Sequence, residues 1–469
     1  MADPTATSGV PLPAALLRRR SSVEELPFQL SSELADAPAM IGQERAAEAV
    51  AFALRMRRKG YNVYALGTAG TGRHQLVDDL LRRNAATEST PPDWCYVNNF
   101  TDPQRPRCLD LPAGQGAGFA AAMKRLIDEL RVSLPATFER DEYRTRREVV
   151  DQQAKSHSEE AFGGLQQRVS GKGISLIRTP MGLAVAPTRD GKVMNPEDFE
   201  ALPEEERTRI EADLQAAQGE LEGIMRQIPQ WEREHRDALR ELNRDTTGLA
   251  VASLIADLRA EYADLPEVLD YLDAIERDIK ENVDDFLPQA TQQASTPNSP
   301  LPPNAAAQAH IEDIRFRRYQ VNVVVDNGGR QGAPVVYEDN PTYQNLVGRV
   351  EHLARFGALI TDFNLIQAGA LHRANGGYLI LDAERLIVAG YAWPALKRAL
   401  HSGEIRIESI EQALSLATTV SLQPQPIPLD VKVVLVGSPM LYYLLAQQDE
   451  DFAELFKIPA DFDDRVPRT

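Results

Sequence analysis

Tyr61-Asn62-Val63-Tyr64-Ala65-Leu66-Gly67-Thr68-Ala69-Gly70-Thr71-Gly72-Arg73-His74 is the stretch whose reading decides the fold. A short apolar strand, Val63 to Leu66, runs into a glycine-rich turn, and a helical run from Gln75 to Arg83 follows. That order builds a phosphate-binding loop, in which backbone N–H groups and a helix N-terminus converge on one anion. Glycine is needed because the loop curls tightly and side chains would hold the phosphates away. The usual pattern is G-x-x-x-x-G-K-[ST]. Gly67 and Gly72 fill its glycine positions, but Arg73 stands at the lysine and His74 at the metal-binding hydroxyl. The candidate phosphate contacts are therefore Gly67, Thr68, Ala69, Gly70, Thr71, Gly72, Arg73 and His74. The competing reading is an ordinary strand-to-helix connection, and strand, helix and spacing together favour the phosphate loop.

Around this stretch the chain reads as a soluble multidomain protein. Its 469 residues carry 51 basic and 69 acidic side chains, a net charge of −18 that repels phosphate backbones and argues against nucleic acid as the main partner. Two cysteines, Cys95 and Cys108, supply no disulfide framework and no metal-ligand set, which suits a reducing cytoplasm. Arg18-Arg19-Arg20 follows the mildly apolar N-terminal stretch instead of preceding it, the wrong order for a signal peptide. Apolar runs such as Val321 to Val325 are too short to span a bilayer, so no membrane partner is expected.

The order of elements gives an α/β fold with a long interruption. Residues 1–23 read as a flexible tail, and 24–135 as the first half of an α/β module. In that half, Trp94 to Val97 is a second buried strand and Phe119 to Val132 a helix. Residues 136–288 form an inserted helical domain broken by a small hairpin, Ile174 to Ile177 and Leu183 to Val185. Ile210, Leu214, Ala217, Leu221, Ile224, Ile228, Trp231, His235, Ala238 and Leu242 make a coiled-coil seam. The segment from Leu254 to Ile279 is the expected partner, folding back at Asp245 to Gly248, with a kink at Pro229. His235 on the seam reads as a rim or buried residue, since no second ligand lies near it in sequence. Residues 289–316 read as a linker, and 317–469 as the second half of the module, with strands at Tyr319–Val325, Tyr378–Leu381 and Lys432–Val436. Helices are expected over Asn345–Phe356 and Trp393–His401. The expected fold class is a parallel α/β sheet with helices on both faces, interrupted by a coiled-coil insertion.

A phosphate loop needs an acidic partner at the end of a neighbouring strand to hold Mg²⁺. Gly376-Gly377-Tyr378-Leu379-Ile380-Leu381-Asp382-Ala383-Glu384 offers Asp382 there. The competing role for Asp382 is to cap the following helix. Ala383 occupies the position of a water-orienting glutamate, and Glu384, one place on, is the candidate for water activation. Ser438 ends the Lys432–Val436 strand, where a side chain would either sense a γ-phosphate or open a turn before Pro439. Phe356 to Ile360 offers either an apolar grip on threaded chains or buried packing.

Taken together, Ile41-Gly-Gln-Glu44, the phosphate loop, Asp382 and Ser438 resemble the ordered motifs of an AAA+ ATPase. The runs from Gly332 to Tyr343, Gly369 to Gly377 and Pro428 to Val434 more narrowly resemble the Lon-related ATP-dependent proteases, in their LonB/LonC-like branch. The resemblance covers nearly all of residues 24–466. It implies a hexameric ring, ATP or ADP with Mg²⁺, unfolded or damaged protein substrates, and a serine endopeptidase domain with a Ser–Lys dyad. This chain stops at Thr469, before the expected lid and peptidase domain, so no dyad residue is assigned. The arginine-finger position falls near Lys457, whose ammonium lacks the planar fork that grips phosphate. Arg73, His74 and Ala383 replace the lysine, the hydroxyl and the glutamate of a working motor. Some members of this branch resemble that state, an ATPase module whose motor chemistry is lost. Two functions follow as expectations: an ATP-driven Lon-type protease ring, or a ring and coiled-coil scaffold that traps or admits unfolded proteins without nucleotide turnover.

Overall fold

The computed structural model describes residues 13–14, 28–33, 42–179, 182–189, 192–287, 315–355, 358–408 and 422–464. Most of the expected tail and linker, Ile41, the hairpin turn at Pro180-Met181 and the Phe356-Gly357 step lie outside these residues.

The organising element is a parallel five-stranded sheet. Its order is Ile458–Asp461, Val63–Leu66, Val431–Gly437, Gly377–Asp382, Val335–Glu338. These strands read as near-continuous apolar runs because both faces are covered. Side chains alternate between two cores, as the pleat requires. Tyr64, Leu66, Leu379, Leu381, Val433 and Leu435 face one core, with the helices Ala392–Ser402 and Glu450–Leu455. Val63, Ala65, Tyr378, Ile380, Val434 and Val436 face the other, with the helices Glu44–Arg55 and Arg73–Ala85. The expected parallel sheet with helices on both faces is the architecture found.

The Trp94–Val97 strand, expected alongside the phosphate loop, lies elsewhere. Asp93–Val97 pairs antiparallel with Arg107–Leu111 and with Val321–Val325 in a separate three-stranded sheet. That sheet is a wall between two cores. Tyr96 and Cys108 join the core of the parallel sheet, whereas Cys95, Val97, Leu109 and Leu111 join a helical core. The wall is tied to the α/β side by polar contacts as well: Tyr96 Oη donates to the Gln425 carbonyl at 2.8 Å. Asn322 Nδ2 donates to the carbonyls of Phe363 and Ile366.

The helical core is built from helices Gln115–Phe138, Glu204–Glu261 and Pro266–Glu281. The 58-residue Glu204–Glu261 helix is continuous through both Pro229 and the expected turn at Asp245–Gly248. At 1.5 Å per residue it is about 87 Å long. Thr246 and Thr247 satisfy their hydroxyls on the carbonyls of Leu242 and Asn243, one helical turn back, so this polar run does not break the helix. The chain reverses instead beyond Glu261, where Pro266 opens the next helix at its first turn. The seam therefore has a different partner from the one expected. Its outer half pairs antiparallel with helix Asp141–Ser170, marked by Tyr143–Asn243 at 2.7 Å, Asp151–His235 at 2.7 Å and Arg168–Glu220 at 2.9 Å. His235 is thus a rim residue held by a carboxylate. The hairpin Ile174–Thr179 with Gly182–Arg189 closes the tip of this arm.

The helix expected over Asn345–Phe356 is also shorter. It spans Tyr343–Val347 and stops at Gly348, whose φ of 86° favours glycine and where a Cβ would lie 2.5 Å from the Gln367 carbonyl. Short ladders follow, Arg349–Val350 with Ile366–Gln367 and Leu353–Arg355 with Ala358–Ile360. His372, fully buried behind them, accepts from the Gly369 N–H at 3.2 Å, and burial pushes its imidazole down to about 3.

Thr247→Pro tests the continuous arm helix. A proline there removes a helical hydrogen bond and costs roughly 3 kcal/mol, so circular dichroism should show lost helix and thermal unfolding a lower midpoint. A variant as helical and stable as the parent would place the reversal at residues 245–248.

Candidate functional site

The parallel register brings the site together. Leu66 lies beside Gly437 on one side and Asp461 on the other, and Asp382 lies beside Val436. Because all five strands run the same way, the segments that leave their carboxyl ends share one rim of the sheet. Gly67 to Gly72, Asp382 to Glu384, Ser438 and Asp461 to Asp464 all start there.

The loop has the curvature a phosphate cradle needs. Gly70 and Gly72 adopt φ of 90° and 75°, and Gly72 opens helix Arg73–Ala85. Gly67 has no room for a side chain, since a Cβ there would lie 2.8 Å from Phe462 Cβ. The side-chain donors of Thr68, Thr71 and Arg73, however, are committed within the protein. Thr68 Oγ1 donates to Asp464 Oδ1 at 2.8 Å, and Thr71 Oγ1 to the Thr68 carbonyl at 2.9 Å. Arg73 Nη1 donates to the Gly437 carbonyl, so its guanidinium bridges loop and sheet.

The neighbouring groups are committed too. Asp382 caps helix Ala383–Val388 by accepting from the Arg385 N–H at 2.9 Å. Glu384 Oε1 accepts from the Ser438 N–H at 2.7 Å, and Ser438 Oγ caps helix Pro439–Gln448 through the Leu441 N–H. Ala383 is fully buried. A Cβ built on Gly437 would lie 2.8 Å from the Ala383 methyl and 2.2 Å from the Tyr64 hydroxyl, so a methyl packed closely against the neighbouring strand stands where a water-orienting acid is expected. His74 meets Tyr337 edge-on at 5.7 Å, and burial pushes its imidazole below the usual range while Asp382 pulls the other way.

Sequence reasoning missed several participants. Tyr64 donates to the Ser438 carbonyl at 3.2 Å, and burial, with Glu384 adding to it, raises its hydroxyl well above the usual tyrosine range. Its only signal was an aromatic in a strand of aliphatics. Phe462 and Asp464 close the loop from the edge strand, and Tyr337 covers His74. Gln43, quoted only as part of a motif, exchanges two hydrogen bonds of 2.9 Å with the Asp463 backbone. Arg45 adds ion pairs to Asp461 and Asp463.

Lys457 is not brought to this rim. It precedes the Ile458–Asp461 strand, at the opposite end of the sheet, with its ammonium 5.2 Å from the Tyr61 ring centre. Within one chain it therefore does not reach the loop.

These residues fit an anion better than a cation. A curved backbone at a helix N-terminus suits phosphate oxygens. Magnesium prefers oxygen ligands in a near-octahedral shell; His74 places an exposed imidazole where the hydroxyl ligand is expected, and one oxygen of Asp382 is engaged as a helix cap.

Residues 331–463 match the family model for the LonB-like AAA domain, and residues 93–126 match the Lon-like LonC helical domain. The chain carries a Lon-related AAA domain. The second match begins at the antiparallel wall sheet, where the structure leaves the parallel sheet. No curated protein matches this Lon-related chain. Among solved structures, NtrX from Brucella abortus is similar at 17% identity and a TM-score of 0.19, over 28% of this chain and 27% of that one. The chain thus spans about a quarter of that protein, and so slight a likeness bears on neither fold nor function. Among the described residues, no helix is long and apolar enough to cross a membrane.

Asp382→Ala separates cap from metal ligand. Losing the cap lowers stability by about 1 kcal/mol, and the loss should be the same with and without Mg²⁺ in thermal unfolding. A parent stabilised by Mg²⁺ and a variant that is not would make Asp382 a metal ligand.

Proposed function

We propose that this Lon-related AAA+ chain forms the gate of a protease ring, admitting loosened proteins to a peptidase chamber without turning over nucleotide. One observation carries the reading: the phosphate loop spends Arg73 on the Gly437 carbonyl, and the acid that should orient water is the buried methyl of Ala383. A positioned general base contributes roughly 10²–10⁴-fold to rate. Glu384, the nearest replacement, is held on the Ser438 backbone. The family's AAA domains support the remaining elements of the proposal, assembly of copies into a ring and contact with protein substrates. The peptidase chemistry is a serine endopeptidase activity that belongs with such a ring, and none of the described residues is assigned to it. Residues 93–287 with 315–325 then act as one helical unit carrying the arm, and residues 42–85 with 331–463 as the ring module.

The arm is the element that would meet substrate first. Its base is defined by the Tyr143–Asn243 contact, so residues 144–242 can be replaced by a short Gly-Ser linker without separating the flanking helices. The excised protein should keep its assembly state but capture unfolded casein less well, and neither protein should hydrolyse ATP above background. Unchanged capture would remove the arm from the gate, and ATP hydrolysis by the parent, abolished in Asp382→Ala, would make the ring a motor.

A further inference from the structure

The end of the parallel sheet opposite the phosphate loop holds a second cleft of about 290 Å³. Its wall is the turn after the first helix, Arg57-Arg58-Lys59-Gly60, together with the amino ends of the Gly377–Asp382 and Val431–Gly437 strands. In a chain of net charge −18, this cleft gathers Arg57, Arg58, Lys59 and Lys432 against two carboxylates, Glu88 and Asp430.

The charges do not cancel. Glu88 is committed to Arg57 at 2.8 Å and also accepts from Asn84 and Tyr378. Lys432 forms no salt bridge among the described residues, though the Asp430 carboxylate acts on it; its ammonium donates to the carbonyls of Met56 and Tyr61 at 2.7 and 3.1 Å. Burial pushes it below the usual lysine range. Lys59 donates to the His401 carbonyl, which offsets the negative end of helix Ala392–Ser402 where it meets the cleft. Arg58 has no side-chain partner among the described residues. Three cations therefore face the cleft with only Asp430 opposing them. Lys457 adds a further ammonium behind Gly60, where a Cβ would lie 3.1 Å from its Nζ.

We propose that this cleft binds a small phosphate-bearing anion. A concave wall focuses the field of like charges, so a solute with several ionised oxygens gains most from it. A guanidinium fork beside two point-charged ammonium groups suits a tetrahedral oxyanion better than a single planar carboxylate. The volume lies near the lower end of small-ligand sites and matches a pyrophosphate or a nucleoside monophosphate. The site is separate from the phosphate loop, which leaves the opposite ends of the same strands, and it does not depend on whether the ring turns over nucleotide.

Calorimetric titration of the full chain with inorganic pyrophosphate at fixed ionic strength tests this, with Arg58→Ala/Lys59→Ala beside it. Both alanine positions are exposed, so the double variant should fold as the parent does. The parent should bind, and the double variant should bind at least roughly tenfold more weakly, the change expected for losing a charge-assisted hydrogen bond. Tighter binding of adenosine monophosphate than of pyrophosphate would mark the phosphate as a nucleotide's. No binding by the parent overturns the proposal, as does binding kept in the double variant. An equal response to sulfate would reduce it to general charge screening and overturn it too.

Discussion

The position of the Val63–Leu66 strand, hydrogen-bonded between Val431–Gly437 and Ile458–Asp461, is the constraint on which the rest of the molecule depends. Four residues in parallel register on both sides leave the chain little choice about what emerges at the rim. Gly67 must appear next to Gly437 and Asp461, whatever side chains the loop carries. That is why the loop keeps the geometry of a phosphate cradle after its lysine and hydroxyl have been replaced. The register also hands Arg73 a backbone carbonyl within reach. A longer, forked cation at the lysine position bonds to Gly437, and Thr68 bonds to Asp464, so the side chains that would reach a phosphate are held by the chain's own groups.

A second constraint links this module to the arm. The antiparallel wall sheet has one face in each core, so Tyr96 and Cys95, adjacent in sequence, are buried on opposite sides of it. A displacement of the arm's base is therefore felt by the segments that carry Gln425, Phe363 and Ile366. Because the wall is packed on both faces and hydrogen-bonded across, it moves as a unit. The arm itself has thin packing at its tip, where the small apolar cluster of Leu165, Val169, Ile174, Ala217 and Leu221 is supplemented by ion pairs. Exposed pairs of that kind contribute little, so the arm's stiffness comes from helix continuity.

The three central strands of the parallel sheet were legible because they are apolar runs ending in chemically marked residues, Gly67, Asp382 and Ser438; the edge strands Val335–Glu338 and Ile458–Asp461 were not, and Val321–Val325 lies in the wall sheet. The helical seam was legible as a period but not as a pairing. The heptad pattern of Ile210 to Leu242 calls for a partner without saying which one, and Asp245-Thr-Thr-Gly248 carries turn-forming residue types that the two threonines reconcile with a helix. Trp94 to Val97 misled for a related reason: burial on both faces produces the same apolar run in a parallel sheet and in a wall between two cores. At the site, residue types pointed to phosphate, metal and water, and Asp382 and Ser438 proved to cap helices in the structure. Hydrogen bonds to a neighbour's backbone leave no trace in a sequence, so Arg73 on Gly437 and Glu384 on Ser438 could not be read from it.

The most direct test of a cradle closed by its own side chains is calorimetric titration with ATP, with and without Mg²⁺, on the parent and on Arg73→Ala. Binding at the loop should be weak or absent in the parent, unaltered by Mg²⁺, and stronger once the guanidinium no longer holds the Gly437 carbonyl. Tight binding of ATP by the parent that requires Mg²⁺ and is lost in Arg73→Ala would contradict it.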